Sequence, residues 1–426
     1  MKLLLAVALL TGFAAPASAG QVWTVDDNGP ADFATLAAAV AAAADGDTIL
    51  VRDGYYSNLD LSGKALTLVA QPAVPPAEQI GLHQIAGVAI ANLPAGKTVT
   101  LRGFRLVKSP FNFATTGAVQ LVNNSGTIVF EDCVLEPTFS TAATLQSSGS
   151  AAVFLVRCFA TGLAGQTPIL VAPQPPRSAI AAVASNVYVY GSTIFGGNAA
   201  TASFPSDFGP GGPAHDGAPA IDLTGGRLFV SGGSITGGKG GNNNFNGTDC
   251  AGAGDGGPAV RLAGADPQLH LQAATLTGGL PGTASGACPA GTPGPQADQQ
   301  SGSITNIPGV ARSIRLSALV EENGTASISL AGAPGESLSI LFSADLASGL
   351  WIPNLQGGLL PGFPMLVFKL IGMPPSGELE LAITIPVSLP PEVGAAVLHA
   401  QTLVGFVGGK PLLSAPSSMT VLRAER

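Results

Sequence analysis

Six short segments repeat one pattern of apolar and polar positions through the middle of the chain. They are VTLRGFRL (99–106), IVFEDCVL (128–135), VFLVRCFA (153–160), VYVYGSTI (187–194), LFVSGGSI (228–235) and LHLQAATL (269–276). Apolar residues alternate with others, a small or thiol residue mostly fills the sixth place, and an aliphatic mostly fills the eighth. A period of two predicts strands with one buried face. A second, shorter strand recurs upstream, as in GAVQLV (117–122), SAIAAV (178–183), GAPAIDL (217–223) and GGPAVRL (256–262). The six starts differ by 29, 25, 34, 41 and 41 residues. A constant strand core with a variable period predicts a coil of stacked rungs whose loops absorb the differences. No single rung can bury its apolar side alone. Stacking does so, and the dry interior should hold Ile128, Phe130, Leu135, Val153, Leu155, Val187, Val189, Ile194, Leu228, Val230 and Ile235.

Ahead of the rungs, DFATLAAAVAAAA (32–44) predicts one helix, with Asp32 as N-cap and Gly46 as its stop. Phe33, Leu36 and Val40 form a narrow apolar stripe. Placed against Ile49 and Leu66, that stripe would plug the N-terminal end of the column, whose strand edges otherwise invite aggregation. After VARSIRLSAL the texture changes. Residues 319–426 predict six or seven short strands between Pro-Gly turns, a β-sandwich-like module. Such a module is a candidate cover for the far end of the column, and its Trp351 and Phe363 are candidate sugar-stacking rings beside a packing role.

The run FATLAAAVAAAADGDTILVRDGYYS, followed by LSGKALTLVA, resembles the start of right-handed parallel β-helix proteins of the pectin lyase-like superfamily. The likeness is close over residues 22–70 and continues to about 318 as repeat texture. It implies an all-β fold: a right-handed parallel β-helix over 20–318 with an N-terminal capping helix, then the small module. It implies no single activity, because that superfamily holds lyases, hydrolases, esterases and non-enzymes.

Residues 1–19 read as a signal peptide, with Lys2, an apolar Leu3–Phe13 stretch and Ala17-Ser18-Ala19 as a cleavage site. The expected location is secreted or cell-surface, and the texture looks bacterial. Formal net charge is −8, and removing Lys2 makes it −9. That balance disfavours nucleic acid and anionic membranes as partners. No later apolar run is long enough for a membrane span.

Four cysteines in an exported chain allow three pairings. Cys133 and Cys158 share the sixth place of neighbouring segments, so they should bond or stack as buried thiols. Cys250 and Cys288 hold near-equivalent places in two long loops, so a disulfide between them is expected.

Catalytic chemistry is sparse. Acids in the rungs are few: Glu131, Asp132, Glu136 and Asp222. Glu131 should pair with Arg102 or Arg157 outside the rod. Gly-Gly recurs at 196–197, 237–238 and 278–279, and loops 198–216, 239–255 and 280–300 follow it. Equal register puts these loops on one side. Their weak catalytic candidates are Asp207, His215 and Asp216. Their ligand-binding candidates are Asn242, Asn243, Asn244, Asp249 and Asp255. Turn chemistry alone also accounts for these residue types. No cofactor is implied, and Ca²⁺ is the one metal the loop acids would suit; no motif with metal-ligand spacing occurs. The expected function is a non-catalytic surface, adhesion or glycan-binding protein with an extracellular or envelope polysaccharide as partner. The rival is a polysaccharide lyase or glycoside hydrolase working through the stacked loops.

Overall fold

The computed structural model describes residues 20–72, 83–107, 117–137, 142–165, 174–201, 214–243, 252–285 and 288–424, except 345, 351, 353, 363–364, 371, 385–388, 391–392 and 408–409. The expected signal segment, Trp351 and Phe363 lie outside the described residues. Among the described residues the protein is all-β apart from one short helix.

The body runs through three strands per coil, and each strand lies parallel to its counterparts in neighbouring coils. The first column holds Val22–Val25, Thr48–Val51, Thr67–Ala70, Thr98–Arg102, Thr127–Glu131 and Ala152–Val156. It continues through the second halves of Ile180–Tyr190 and Ile221–Ser231, then Gln268–Gln272 and Ser303–Ile307. The second column holds Tyr55–Tyr56, Gln84–Ile85, Arg105–Val107, Val134–Glu136, Phe159–Thr161, Thr193–Phe195, Ser234–Thr236 and Thr275–Thr277. The third runs from Leu59–Asp60 through Val88–Ala91, Val119–Val122 and Leu145–Ser148. The first halves of the two long strands follow, then Val260–Ala263 and Ala297–Gln299.

The six aligned segments stack residue on residue: Val99 on Ile128, Ile128 on Val153, Val153 on Val187, Val187 on Leu228, and Leu228 on Leu269. Every interior residue named above is buried in one apolar cluster. Leu145–Ser148 is a strand that the repeat alignment passes over, because a serine takes its second inward place.

One residue turns the first column into the second. In successive coils it is Gly103, Asp132, Arg157, Gly191, Gly232 and Ala273, all with φ between 46° and 82°. This left-handed turn swings Asp132 to the same outer side as Glu131, which strict alternation would separate. The next residue points inward. Cys133 Sγ donates to the Leu101 carbonyl (3.4 Å), Cys158 Sγ to that of Phe130 (3.3 Å), and Ser192 Oγ to that of Leu155 (3.2 Å). Cys133 and Cys158 therefore stack as buried free thiols, each bonded back one coil, and the disulfide between them does not form. Burial, with Cys133 beside it, pushes the Cys158 thiol well up.

The helix spans Leu36–Ala42, shorter than expected. Its N-cap is Thr35, whose hydroxyl accepts from Ala38 N, and not Asp32. Asp32 instead accepts from the backbone and hydroxyl of Thr24. At the other end Lys64 Nζ donates to the Val40, Ala41 and Ala43 carbonyls, so a cation completes the helix where a glycine was expected. Leu36, Ala39 and Val40 join the same cluster as Ile49 and Leu66, which is the plug.

The chain leaves the coil at Ile307 and enters a second unit at Ser313–Leu316, a little ahead of 319. That strand, Thr325–Ala331 and Glu378–Thr384 form an antiparallel sheet. It packs on a larger sheet containing Leu338–Ser343, Leu366–Leu370, Ala395–Val407, Lys410–Leu413 and Ser417–Leu422. The unit lies along the outer face of the first column and does not cap its far end. Val129, Phe154, Tyr188 and Phe229 pack there against Leu360, Leu412 and Ala415. Near the N-terminal end Val22, Leu50 and Val69 meet Ala395.

A buried polar cluster crosses this interface. Arg157 pairs with Glu131 as expected, and also with Asp132, which the left-handed turn brings to the same side. Arg102 donates to the Ser418 and Leu316 carbonyls, and Glu131 accepts from Ser417 Oγ (2.6 Å) and Ser418 N (3.2 Å). The ladder is thus covered by the module, not exposed on the rod. Burial alone would raise the Asp132 carboxyl; the Arg157 guanidinium outweighs it and holds the group below its ordinary range. His399 Nδ1 meets Ser418 Oγ at 2.8 Å, and burial depresses its pKa to about 3.

Two predictions follow from these contacts. Thiol titration of the native protein should find neither Cys133 nor Cys158, and both should react once denaturant unfolds the coil. His399 keeps its neutral form in the fold to about pH 3, whereas an unfolded histidine protonates near 6.5. A depressed folded pKa means that its contribution is complete above about pH 6.5 and is lost as pH falls toward 3, at up to about 1.4 kcal/mol per unit. Urea titrations of His399→Gln between pH 7 and 5 should therefore show a flatter pH dependence than the parent.

Candidate functional site

The described parts of the three long loops lie side by side, and up to the strand Ala297–Gln299 their backbone forms a lattice outside regular strand and helix geometry. Residues 237–243 and 252–259 show its rule. Gly237, Gly240 and Asn243 donate N–H bonds to the carbonyls of Thr277, Leu280 and Thr283 in the next coil. Gly238 and Gly241 donate to Ala218 and His215 on the returning segment. Ala253, Gly256 and Ala259 donate to Pro289, Thr292 and Pro295, while Gly254 and Gly257 donate to Gly241 and Gly238. Each series steps by three residues, the repeat of a polyproline II helix. Outgoing and returning segments thus build two layers of extended chains bonded within and between layers.

Glycine is required here for space. A Cβ at Gly238 would lie 1.9 Å from the Gly197 carbonyl oxygen, one at Gly254 1.9 Å from that of His215, and one at Gly279 1.9 Å from that of Gly238. These obstacles are backbone, so no side-chain rotation relieves them. The packing follows the collagen rule, in which only glycine fits where chains meet. Pro281 and Pro293 occupy the donor places of Gly240 and Gly256 one coil later. Proline has no N–H, so the last layer presents no unpaired donor at these places.

The predicted loop residues mostly serve this lattice. Asp216 Oδ1 accepts from Asp255 N (2.8 Å), and Asp255 Oδ1 accepts from Thr292 N (2.6 Å). Asn242 Oδ1 accepts from Thr283 N (2.9 Å), and Asn198 Oδ1 from Lys239 N (2.7 Å). Each acceptor reaches one coil forward. Asn243 is buried and bridges Ala284. His215 lends its carbonyl to Gly241 and is followed by Asp216, whose carboxylate points forward along the stack to Asp255. Asp207, Asn244, Asp249 and Cys250 lie outside the described residues; Cys288 is half-buried at the turn between outgoing and returning segments.

No family model and no curated protein gives a significant match to this chain. Among the described residues no group of three or more His, Cys, Asp or Glu could hold a metal ion. No helix among the described residues is long and apolar enough to cross a membrane.

The lattice adjoins a surface that the sequence reading overlooked. The second-column strands run directly into the Gly-Gly steps, and their outward residues form two rows. Phe159, Thr193, Ser234 and Thr275 make one row; Thr161, Phe195, Thr236 and Thr277 make the other. The inward residues between them, Ala160, Ile194 and Ile235, are fully buried. The signal was present at the seventh and ninth places of the repeat, but attention to charged residues passed over hydroxyls and rings.

Gly254→Ala should destabilise the protein by about 1–3 kcal/mol or more through overpacking against fixed backbone. Gly405→Ala, where nothing lies within 4 Å of the added carbon, should not destabilise it and should raise stability by up to about 1 kcal/mol. Thermal melts of the two variants check this, and limited proteolysis should cut the first within residues 198–300.

Proposed function

We propose that this chain is an exported, right-handed parallel β-helix protein that binds an extracellular or envelope polysaccharide without cleaving it. The right hand follows the strong rule for parallel strands joined by crossovers, and the resemblance over residues 22–70 points the same way. Export rests on the reading of residues 1–19. The observation that carries the non-catalytic reading is the occupation of the acids. Asp216 and Asp255 hold backbone N–H groups of the lattice. Glu131 and Asp132 hold Arg157 beneath the module. A general acid or base must keep a carboxyl within reach of substrate; Glu131 and Asp132 are buried, and Asp216 and Asp255, at the surface, each commit one oxygen to a backbone N–H.

A glycine lattice of this kind offers binding a rigid support, since its backbone is ordered before any ligand arrives. A Cys250–Cys288 disulfide would staple the lattice's outer rim, and Cys288 does not stand with Cys133 and Cys158 as a free thiol. Unfolded, unreduced protein should therefore show two thiols, and reduced protein four.

The decisive experiment incubates the chain from Gly20 onward with a panel of neutral and acidic polysaccharides. Retention on at least one, with no new reducing ends and no unsaturated products, is expected. Product formation would replace this proposal with the lyase or hydrolase reading.

A further inference from the structure

We infer that the polysaccharide is uncharged and lies across the outer rows of the second column, beside the glycine lattice. The inference rests on the binding reading above and assigns it a surface and a ligand chemistry.

The first column cannot serve, because the C-terminal module covers its outer side. The third column carries charge on its outer side, with Asp222 paired to Arg261 and Asp298 beyond them. The second column differs from both. From Phe159 to Thr277 its eight outward residues hold two aromatic rings, six hydroxyls and no charge. The first charges on this face are Arg105 and Glu136, and they neutralise each other at 3.0 Å. Phe159 and Phe195 sit in adjacent coils with ring centroids 5.8 Å apart. Phe195 is 37% exposed. Thr275 and Thr277 are exposed, and Thr161, Thr193, Ser234 and Thr236 are half-buried.

This is the chemistry a neutral sugar chain presents in reverse. The apolar C–H face of a pyranose packs on an aromatic ring, and its hydroxyls need partners that both donate and accept. Threonine and serine hydroxyls do both. Successive coils repeat them at the strand spacing of about 4.8 Å. A uronate polymer would instead call for Arg or Lys opposite each carboxylate. The rows contain none, and the chain's net charge of −8 repels a polyanion. Beyond the rows the Gly-Gly steps leave bare backbone, so no side chain at 196–197, 237–238 or 278–279 obstructs a flat ligand.

The test uses the full mature chain, with affinity electrophoresis in gels of a neutral β-glucan and of polygalacturonate at equal mass. The variant Phe195→Ala/Thr236→Ala removes one ring and one hydroxyl from the exposed row. Thr224→Ala, exposed on the third column, is the control, and melting temperatures establish that both fold. The parent should be retarded by the β-glucan, the double variant about tenfold less tightly bound, and the control unchanged. Equal retardation of the double variant would overturn the assigned surface and leave the binding reading standing. Retardation by polygalacturonate alone would overturn the uncharged ligand and again spare the binding reading. Retardation by no polysaccharide would overturn the binding reading and this inference with it.

Discussion

Everything in this protein depends on backbone hydrogen bonds that tie each coil to the next without a shift in register. Parallel strands in three columns use every coil as the template for the one after it. A slip of one residue would exchange the interior and exterior sides of a strand. Once that register holds, side chains at equal places can form ladders. The sixth place becomes a ladder of thiol and hydroxyl donors to carbonyls one coil back. Asn124 does similar service within the third column, accepting from Leu93 N and donating to the Ile90 carbonyl.

The same constraint governs the loops, where it acts without strands. Segments that leave the coil at equal register meet their counterparts side by side. They can approach closely enough to bond only where glycine removes the side chain. The acids and amides among them then find backbone N–H groups one coil ahead. Residues that look like a site in one dimension become struts in three. The outer face of the second column is quieter, hydroxyls and two rings without charge from Phe159 to Thr277.

The module adds a different kind of constraint. It buries aromatic residues that would leave the first column with a large exposed apolar face. It also encloses charges whose desolvation is costly unless every group is paired. Arg102, Glu131, Asp132 and Arg157 are paired through each other and through Ser417 and Ser418, with Arg157 Nη1 buried and without a hydrogen-bond partner among the described residues.

By itself the sequence determined the strands, their register and the dry interior, because alternation and stacking are local rules written into each repeat. Val99, Ile128, Val153, Val187, Leu228 and Leu269 could be superposed from spacing alone, and the structure stacks them so. It also brought Glu131 within reach of Arg102 or Arg157, since adjacent rungs stack Glu131 on Arg102 and on Val156 beside Arg157. Tertiary structure decided the rest. Lys64 finishes a helix more than twenty residues away. Glu131 meets Ser417, 286 positions further along the chain. The two thiols turn to carbonyls and not to each other. Each of these outcomes depends on which surfaces come to face one another across long separations, and no periodicity within a repeat encodes that.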